Sequence, residues 1–208
     1  MGERTFRRYT NLAAAIHLLR TRRITLLDPE TWQDKNDSYF LARYKERIGA
    51  GSVLAACFAD AAETFHHWSV FASRSNGVCV QFNKEILQAA VGKDKSVEFR
   101  QVRYLEIKTL KTNPIVERDL PFVKRYPYKD EREYRLLHIN RNSEIDFYHV
   151  RIPLTAIDRI TLSPWMPQSL AEEVKPILKS IKGCGQIEIY RSTLIENENW
   201  KNAARSAR

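Results

Sequence analysis

Apolar residues recur along this chain with two periods, two and 3.6, and their succession predicts its elements. Thr5 to Tyr9 reads as a short strand, after which Thr10 or Asn11 can cap a helix with Leu12, Ala15, Ile16 and Leu19 on one face. Ile24 to Leu27 reads as a second strand. Asp28, Pro29 and Glu30 then supply an N-cap, a first-position proline and a first-turn acid for a short helix carrying Trp32, and the polar stretch Asp34 to Asp37 reads as a loop. Ser52 to Phe58 is apolar enough for a buried strand. Phe65, Trp68, Ser69 and Ala72 mark a helical face, with Asn76 and Gly77 as its left-handed stop. Val78, Val80 and Phe82 alternate as a strand, and Asn83 can cap a helix bearing Ile86, Leu87, Ala90 and Val91. Val97 to Leu105 reads as a strand whose apolar positions change parity between Phe99 and Val102, as a bulge would make them.

Residues 106–127 carry Pro114, Pro121 and Pro127 among charges and read as a long irregular loop inside one domain. Glu131 to Ile139 and Ile145 to Ile152 flank the polar turn Asn140 to Ser143, which predicts an antiparallel hairpin, and Ile157 to Leu162 follows as a strand. Ser169 and Glu172 have capping-box spacing ahead of Val174, Ile177, Leu178 and Ile181; Pro176 should kink that helix or shift its start, and Gly183 ends it. Gln186 to Arg191 is the last strand. Strands in both halves without a parallel crossover rhythm predict the α+β class. The expectation is a single domain over residues 1–208, with a mainly antiparallel sheet, peripheral helices and a basic tail at 201–208.

A chain of 208 residues with 43% hydrophobic content is long enough for one sizeable core. No apolar run approaches the ~20 residues that span a bilayer, so no membrane partner is expected and the predicted location is cytoplasmic. Cys57, Cys79 and Cys184 are too few and too far apart for a disulfide framework or a metal knuckle. The formal charge of +9 gathers at both ends: Arg4, Arg7, Arg8, Arg20, Arg22 and Arg23 near the start, Lys201, Arg205 and Arg208 near the finish. Such a surface attracts polyanions, which makes RNA or DNA a candidate partner, although a merely solubilising surface has the same composition.

The densest candidate chemistry lies between Tyr128 and Leu137. In a strand, residues two apart share a face, so Glu131, Glu133 and Arg135 would project together. A charged strand end and a Glu133–Arg135 surface ion pair are the ordinary alternatives. His66 and His67 occupy adjacent helix positions about 100° apart and do not suit one metal ion. The Asp34, Asn36, Ser38 spacing begins like a calcium loop but has Tyr39 where glycine is needed and Lys45 in place of the closing glutamate. No metal site is expected. His138 and His149, one on each hairpin arm, could approach each other.

In their order, several motifs resemble those of the bacterial and phage family known as domain-of-unknown-function 2971: Arg8-Tyr9, Asn36-Asp37, Cys57-Phe58, the stretch from Trp68 through Gly77-Val78 to Phe82, and the Glu-x-Glu-Tyr-Arg run from Glu131 to Arg135. Ser38 stands where that family often has proline. The order is also similar to that of ADP-ribosyltransferase-type enzymes, in which an early strand carries Arg or His and a late strand a catalytic Glu. That resemblance implies a split sheet clasping NAD, with Glu133 as the catalytic carboxylate on the ribose, Glu131 assisting the acceptor, Arg8 on the pyrophosphate or ribose, and Tyr9 or Trp68 stacking on a ring. Asn36, Asp37 and Arg135 would border the substrate. The Ser-Thr-Ser strand motif of some such enzymes is absent, leaving Ser69, Ser73 and Ser75 nearby, of which Ser73 is the candidate NAD contact. The implied function is NAD-dependent transfer to nucleic acid or protein, in a phage-defence or toxin setting; the alternative is a non-catalytic basic module binding nucleic acid or an acidic partner.

Overall fold

Side-chain caps set where most helices begin. In the computed structural model, which describes residues 4–72 and 74–207, strand β1 (Thr5–Asn11) ends on Asn11, whose Oδ1 accepts from the Ala14 amide and starts helix α1 (Leu12–Thr21). Strand β2 (Arg23–Leu27) follows, and Asp28 caps a short 3-10 turn, Pro29–Thr31, that leaves Trp32 outside any helix. The polar stretch expected as a loop is a helix start: Asp34 accepts from the Asn36 and Asp37 amides and opens α2 (Lys35–Arg47). Its carboxylate satisfies donors that a helix end otherwise leaves unpaired.

Strand β3 (Ser52–Ala59), helix α3 (Phe65–Phe71), strand β4 (Gly77–Asn83) and helix α4 (Lys84–Val91) follow in the expected order. The stop after α3 differs, since Gly77 already belongs to β4 and Arg74, at φ 40°, takes the left-handed position. The stretch from Val97 is two strands, β5 (Val97–Gln101) and β6 (Arg103–Leu105). Between them the Val102 amide donates to the Glu133 carbonyl at 2.8 Å, so the parity change marks a change of partner rather than a bulge. β6 pairs in parallel with β7 (Val123–Arg125), a strand inside the segment expected to be irregular.

Strands β8 (Glu133–Asn140), β9 (Phe147–Arg151) and β10 (Ile157–Leu162) lead to helix α5 (Gln168–Ser180), strand β11 (Glu188–Arg191) and helix α6 (Glu198–Arg205). α5 starts before the expected capping box, accommodates Pro176 internally and ends ahead of Gly183. The basic tail is largely the helix α6, where Lys201 pairs with Glu196 and Glu198.

Among the described residues nine strands join one sheet, in the order β11-β10-β4-β1-β3-β2-β9, with β8 on β3 and β5 on β8. Every ladder of this sheet is antiparallel except β10 with β11, which α5 connects. The fold is therefore α+β with a mainly antiparallel sheet, as the strand pattern implied. Phe6, Leu54, Phe58, Val80, Phe82, Leu136 and Ile160 form its core, with Leu18 and Leu19 of α1, Leu87 of α4 and Leu178 of α5 packed in. No helix among the described residues is long and apolar enough to cross a membrane.

The expected hairpin does not form. β8 pairs with β3 and β5, whereas β9 pairs with β2. The connection from β8 to β9 passes the start of β3, where Ser52 Oγ accepts from the Ile145 amide at 2.7 Å. His138 accordingly stacks on Tyr148, and His149 lies beside His17. Gly51 makes this crossing possible, because a Cβ there would lie 2.2 Å from the Ser143 carbonyl oxygen. Gly51→Ala is expected to destabilise the protein by about 1–3 kcal/mol in urea unfolding; an unchanged midpoint would show that the crossing has slack.

Candidate active site

β3 is where the sheet divides. One edge runs its whole length with β8, while the other meets β2 only at Leu27–Ala55 and β1 only at Arg7–Ala59. Between those bridges a cleft of about 540 Å³ opens over Ala55 to Ala59. Arg8 and Tyr9 of β1, Asp37 of α2, Lys124 of β7, and Glu131 and Glu133 line it.

A buried charge cluster occupies one side. Arg135 is 0% exposed. Its Nη1 and Nη2 donate to the two Asp37 oxygens at 2.9 and 2.7 Å, its Nε to Glu133 Oε1 at 2.8 Å, and Nη1 also to the Pro121 carbonyl at 2.7 Å. Trp32 lies 5.0 Å from the guanidinium carbon. Lys124 Nζ donates to Glu131 Oε2 at 2.6 Å and Glu133 Oε2 at 3.2 Å, and stands 3.6 Å from Asp37 Oδ2. Asp37 sits in the first turn of α2, where the helix dipole favours an anion. Glu131 closes a 3-10 turn (Tyr126–Glu131) rather than beginning the strand; Arg132, at φ 46°, reverses the backbone so that both glutamates still reach Lys124.

The two glutamates are driven apart in acidity. Burial alone would raise Glu133, but Arg135 and Lys124 outweigh it and hold the carboxyl well below its usual range. Burial dominates at Glu131, against the opposing pull of Lys124, and lifts its pKa to about 7. Burial likewise pushes Asp37 up while Arg135 pulls it down. Lys124 loses solvation, yet Glu133, Asp37 and Glu131 raise its pKa and keep it charged. Two neighbouring carboxyls, one fixed as the anion and one titrating near neutrality, suit different roles in one reaction.

Arg8 reaches the cleft from the opposite edge of β3. Its Nη1 donates to the Cys57 carbonyl at 3.3 Å and its guanidinium lies 5.6 Å from the centre of the Phe58 ring. Burial lowers its pKa, but a guanidinium remains charged, and no carboxylate among the described residues pairs with it. A desolvated cation in a cleft without its own anion is prepared for an anionic ligand.

Tyr9 stacks on His67 with ring centres 5.3 Å apart. His67 is tied to Thr64 Oγ1 through Nδ1 at 2.6 Å and to the Glu131 carbonyl through Nε2 at 3.3 Å, and burial lowers its pKa. Trp68 is fully buried behind Tyr9, with its indole nitrogen donating to Glu63 Oε1 at 2.6 Å, so it supports the wall and does not line the cleft. Asn36 faces a separate cavity of about 40 Å³, and Arg135 lies behind the cleft surface as the organiser of its acids. Ser73 lies outside the described residues. Among the described residues no three His, Cys, Asp or Glu side chains group to hold a metal ion. Lys124, Trp32 and Tyr128 join the site unforeseen. The sequence held no signal for Lys124, because only packing brings Asp37 to Arg135 and so leaves a negative charge to balance.

No family model and no curated protein matches the chain, so the domain-of-unknown-function 2971 resemblance stands on its motifs alone. Among solved structures, the chain is similar to Thermus sp. 2.9 DarT in complex with ADP-ribosylated ssDNA, at 12% identity and a TM-score of 0.46 over 92% of this chain and 98% of that one. It is also similar to Thermus sp. 2.9 DarT in complex with NAD+, at 10% identity and a TM-score of 0.43 over 91% and 95% of the two chains.

Arg135 and Arg8 should respond differently to loss of charge. Arg135→Met strands buried carboxylates and is expected to cost about 3–5 kcal/mol in urea unfolding. Arg8→Met, which leaves no acid behind, should change stability by less than about 1 kcal/mol. Equal losses would show that Arg8 is a structural cation.

Proposed function

We propose that this protein consumes NAD as an ADP-ribosyltransferase-type enzyme, breaking the bond between nicotinamide and ribose and transferring ADP-ribose to a nucleic-acid or protein acceptor. The observation that carries the reading is the pairing, across β3, of an ionised and immobilised Glu133 with an Arg8 that pairs with no carboxylate among the described residues. A non-catalytic basic module gives no reason to bury three acids and two cations beside a cleft. The toxin or phage-defence setting comes from the motif resemblance.

The proposed division of labour follows from the side chains. Arg8 holds the diphosphate. As the glycosidic bond breaks, its electron pair leaves with nicotinamide and positive charge develops on the ribose, where the Glu133 carboxylate stabilises it. Arg135 and Lys124 occupy lone pairs on both Glu133 oxygens, so the carboxylate is already oriented before substrate arrives. The acceptor atom then bonds to the ribose carbon, and Glu131, the poised base, takes its proton. Tyr9, Trp32 and Tyr128 offer ring faces and edges to the cleft. The +9 charge would draw a polyanionic acceptor towards the protein.

Nicotinamide release from NAD, with RNA, DNA and protein offered in turn, tests this. Glu133→Gln is expected to lower release by about 10²–10³-fold while circular dichroism shows an intact fold; full activity in that variant would end the assignment. Glu131 works only when ionised, so kcat/KM for transfer, which reports the free protein, should rise about tenfold per pH unit below its pKa of about 7 and level off above it. Glu131→Gln should flatten that limb, and a limb that persists unchanged would belong to another group.

A further inference from the structure

The charges within the buried cluster do not balance among themselves. Asp37, Glu131 and Glu133 supply three negative charges when ionised, Lys124 and Arg135 only two positive ones, and all five side chains are at most 6% exposed. Glu131 is the member able to correct this, because Lys124 donates to its Oε2, while the cation facing its Oε1 among the described residues is the His66 imidazole, with Nε2 4.0 Å away.

The groups around Glu131 come from every packed element. Lys124 projects from β7, Glu133 from β8 and Asp37 from α2, all sharing the Lys124 ammonium. His66 and His67 project from α3, and the Tyr104 hydroxyl of β6 accepts from the Glu133 amide. Arg7 and Arg8 of β1, Asp34 at the cap of α2 and Tyr128 line the same cleft, and Asp130 and Arg132 flank Glu131 in the chain. With Glu131 protonated, the five-residue cluster is neutral. With Glu131 ionised, it carries one excess negative charge in a poorly solvated place, which is the physical reason its acidity falls.

We propose that the cleft selects a ligand with a positively charged ring, and that binding this ring expels the proton from Glu131. The proposal rests on the reading of the cleft as a dinucleotide site and adds its charge specificity. The cleft has two electrical ends: an anionic cluster on the β8 side of β3 and Arg8 on the β1 side. An oxidised nicotinamide dinucleotide has the matching ends, a pyridinium ring and a diphosphate. Its ring supplies the charge that the ionised cluster lacks, so ring binding and Glu131 ionisation favour each other, as linkage requires. The reduced dinucleotide has the same diphosphate and a neutral ring, and gains nothing from an ionised Glu131. When the ring has left and the acceptor's proton passes to Glu131, the cluster returns to neutrality, ready for the next molecule.

Isothermal titration of the whole protein at pH 7, in phosphate and in Tris, measures both parts with carba-NAD+, which keeps the pyridinium charge, and with NADH. For carba-NAD+ the two buffers should differ by the release of about half a proton per site, the fraction expected for a carboxyl titrating at about 7. Glu131→Gln should abolish that difference. NADH should bind about tenfold more weakly or worse, without proton release. Tight binding of both ligands with no buffer dependence would overturn the charge selection and leave the dinucleotide site standing. Failure of both ligands to bind would overturn the site itself, and this proposal with it.

Discussion

Burying the Arg135 guanidinium is the constraint around which the rest of the structure is arranged. A desolvated charge costs several kcal/mol unless its donors are met. Asp37 and Glu133 meet four of the contacts and the Pro121 carbonyl a fifth. Those partners come from the first turn of α2, the start of β8 and the approach to β7, segments far apart in the chain. Satisfying one side chain therefore fixes three pieces of backbone. It also explains why Lys124 is drawn inward, since two carboxylates facing one guanidinium leave negative charge for a second cation.

The same constraint supplies what the proposed chemistry needs. A carboxylate that stabilises developing charge acts best when it does not reorganise, and Glu133 is held through both oxygens. Glu131, two residues earlier, is held through one, and keeps a titratable group where an acceptor could meet it. The opening itself comes from the sheet. β3 gives its full length to β8 but only single bridges to β1 and β2, so substrate-sized space and the buried cluster share one strand.

Much of the secondary structure was legible. Asn11, Asp28 and Asn83 act as caps as their positions implied, and β3, β4 and β10 lie within a residue or so of the apolar runs that announced them. The misreadings have specific causes. Asp34 looked like loop polarity because a cap and a loop share composition. The hairpin from β8 to β9 looked sound because turn chemistry records a local reversal and not which strands lie beside it; here Ser52 and Gly51 of the β3 region carry the connection onward. β7 is three residues long, too short for periodicity to register.

For the site, the sequence by itself placed Glu131, Glu133 and Arg135 among the residues of interest, because charged residues at strand spacing are visible as a pattern, whereas Arg8 and Asp37 came only from the motif resemblance. It could not separate a surface ion pair from a buried cluster. That depends on desolvation, which is decided by what packs over a residue and not by the residue itself. Tertiary structure alone brought Lys124 to the three acids, put Trp68 behind Tyr9 instead of in the cleft, and left Arg8 without a carboxylate partner among the described residues. It also separated the acidities of Glu131 and Glu133, because charges near enough to shift a carboxyl lie close in space and distant in sequence.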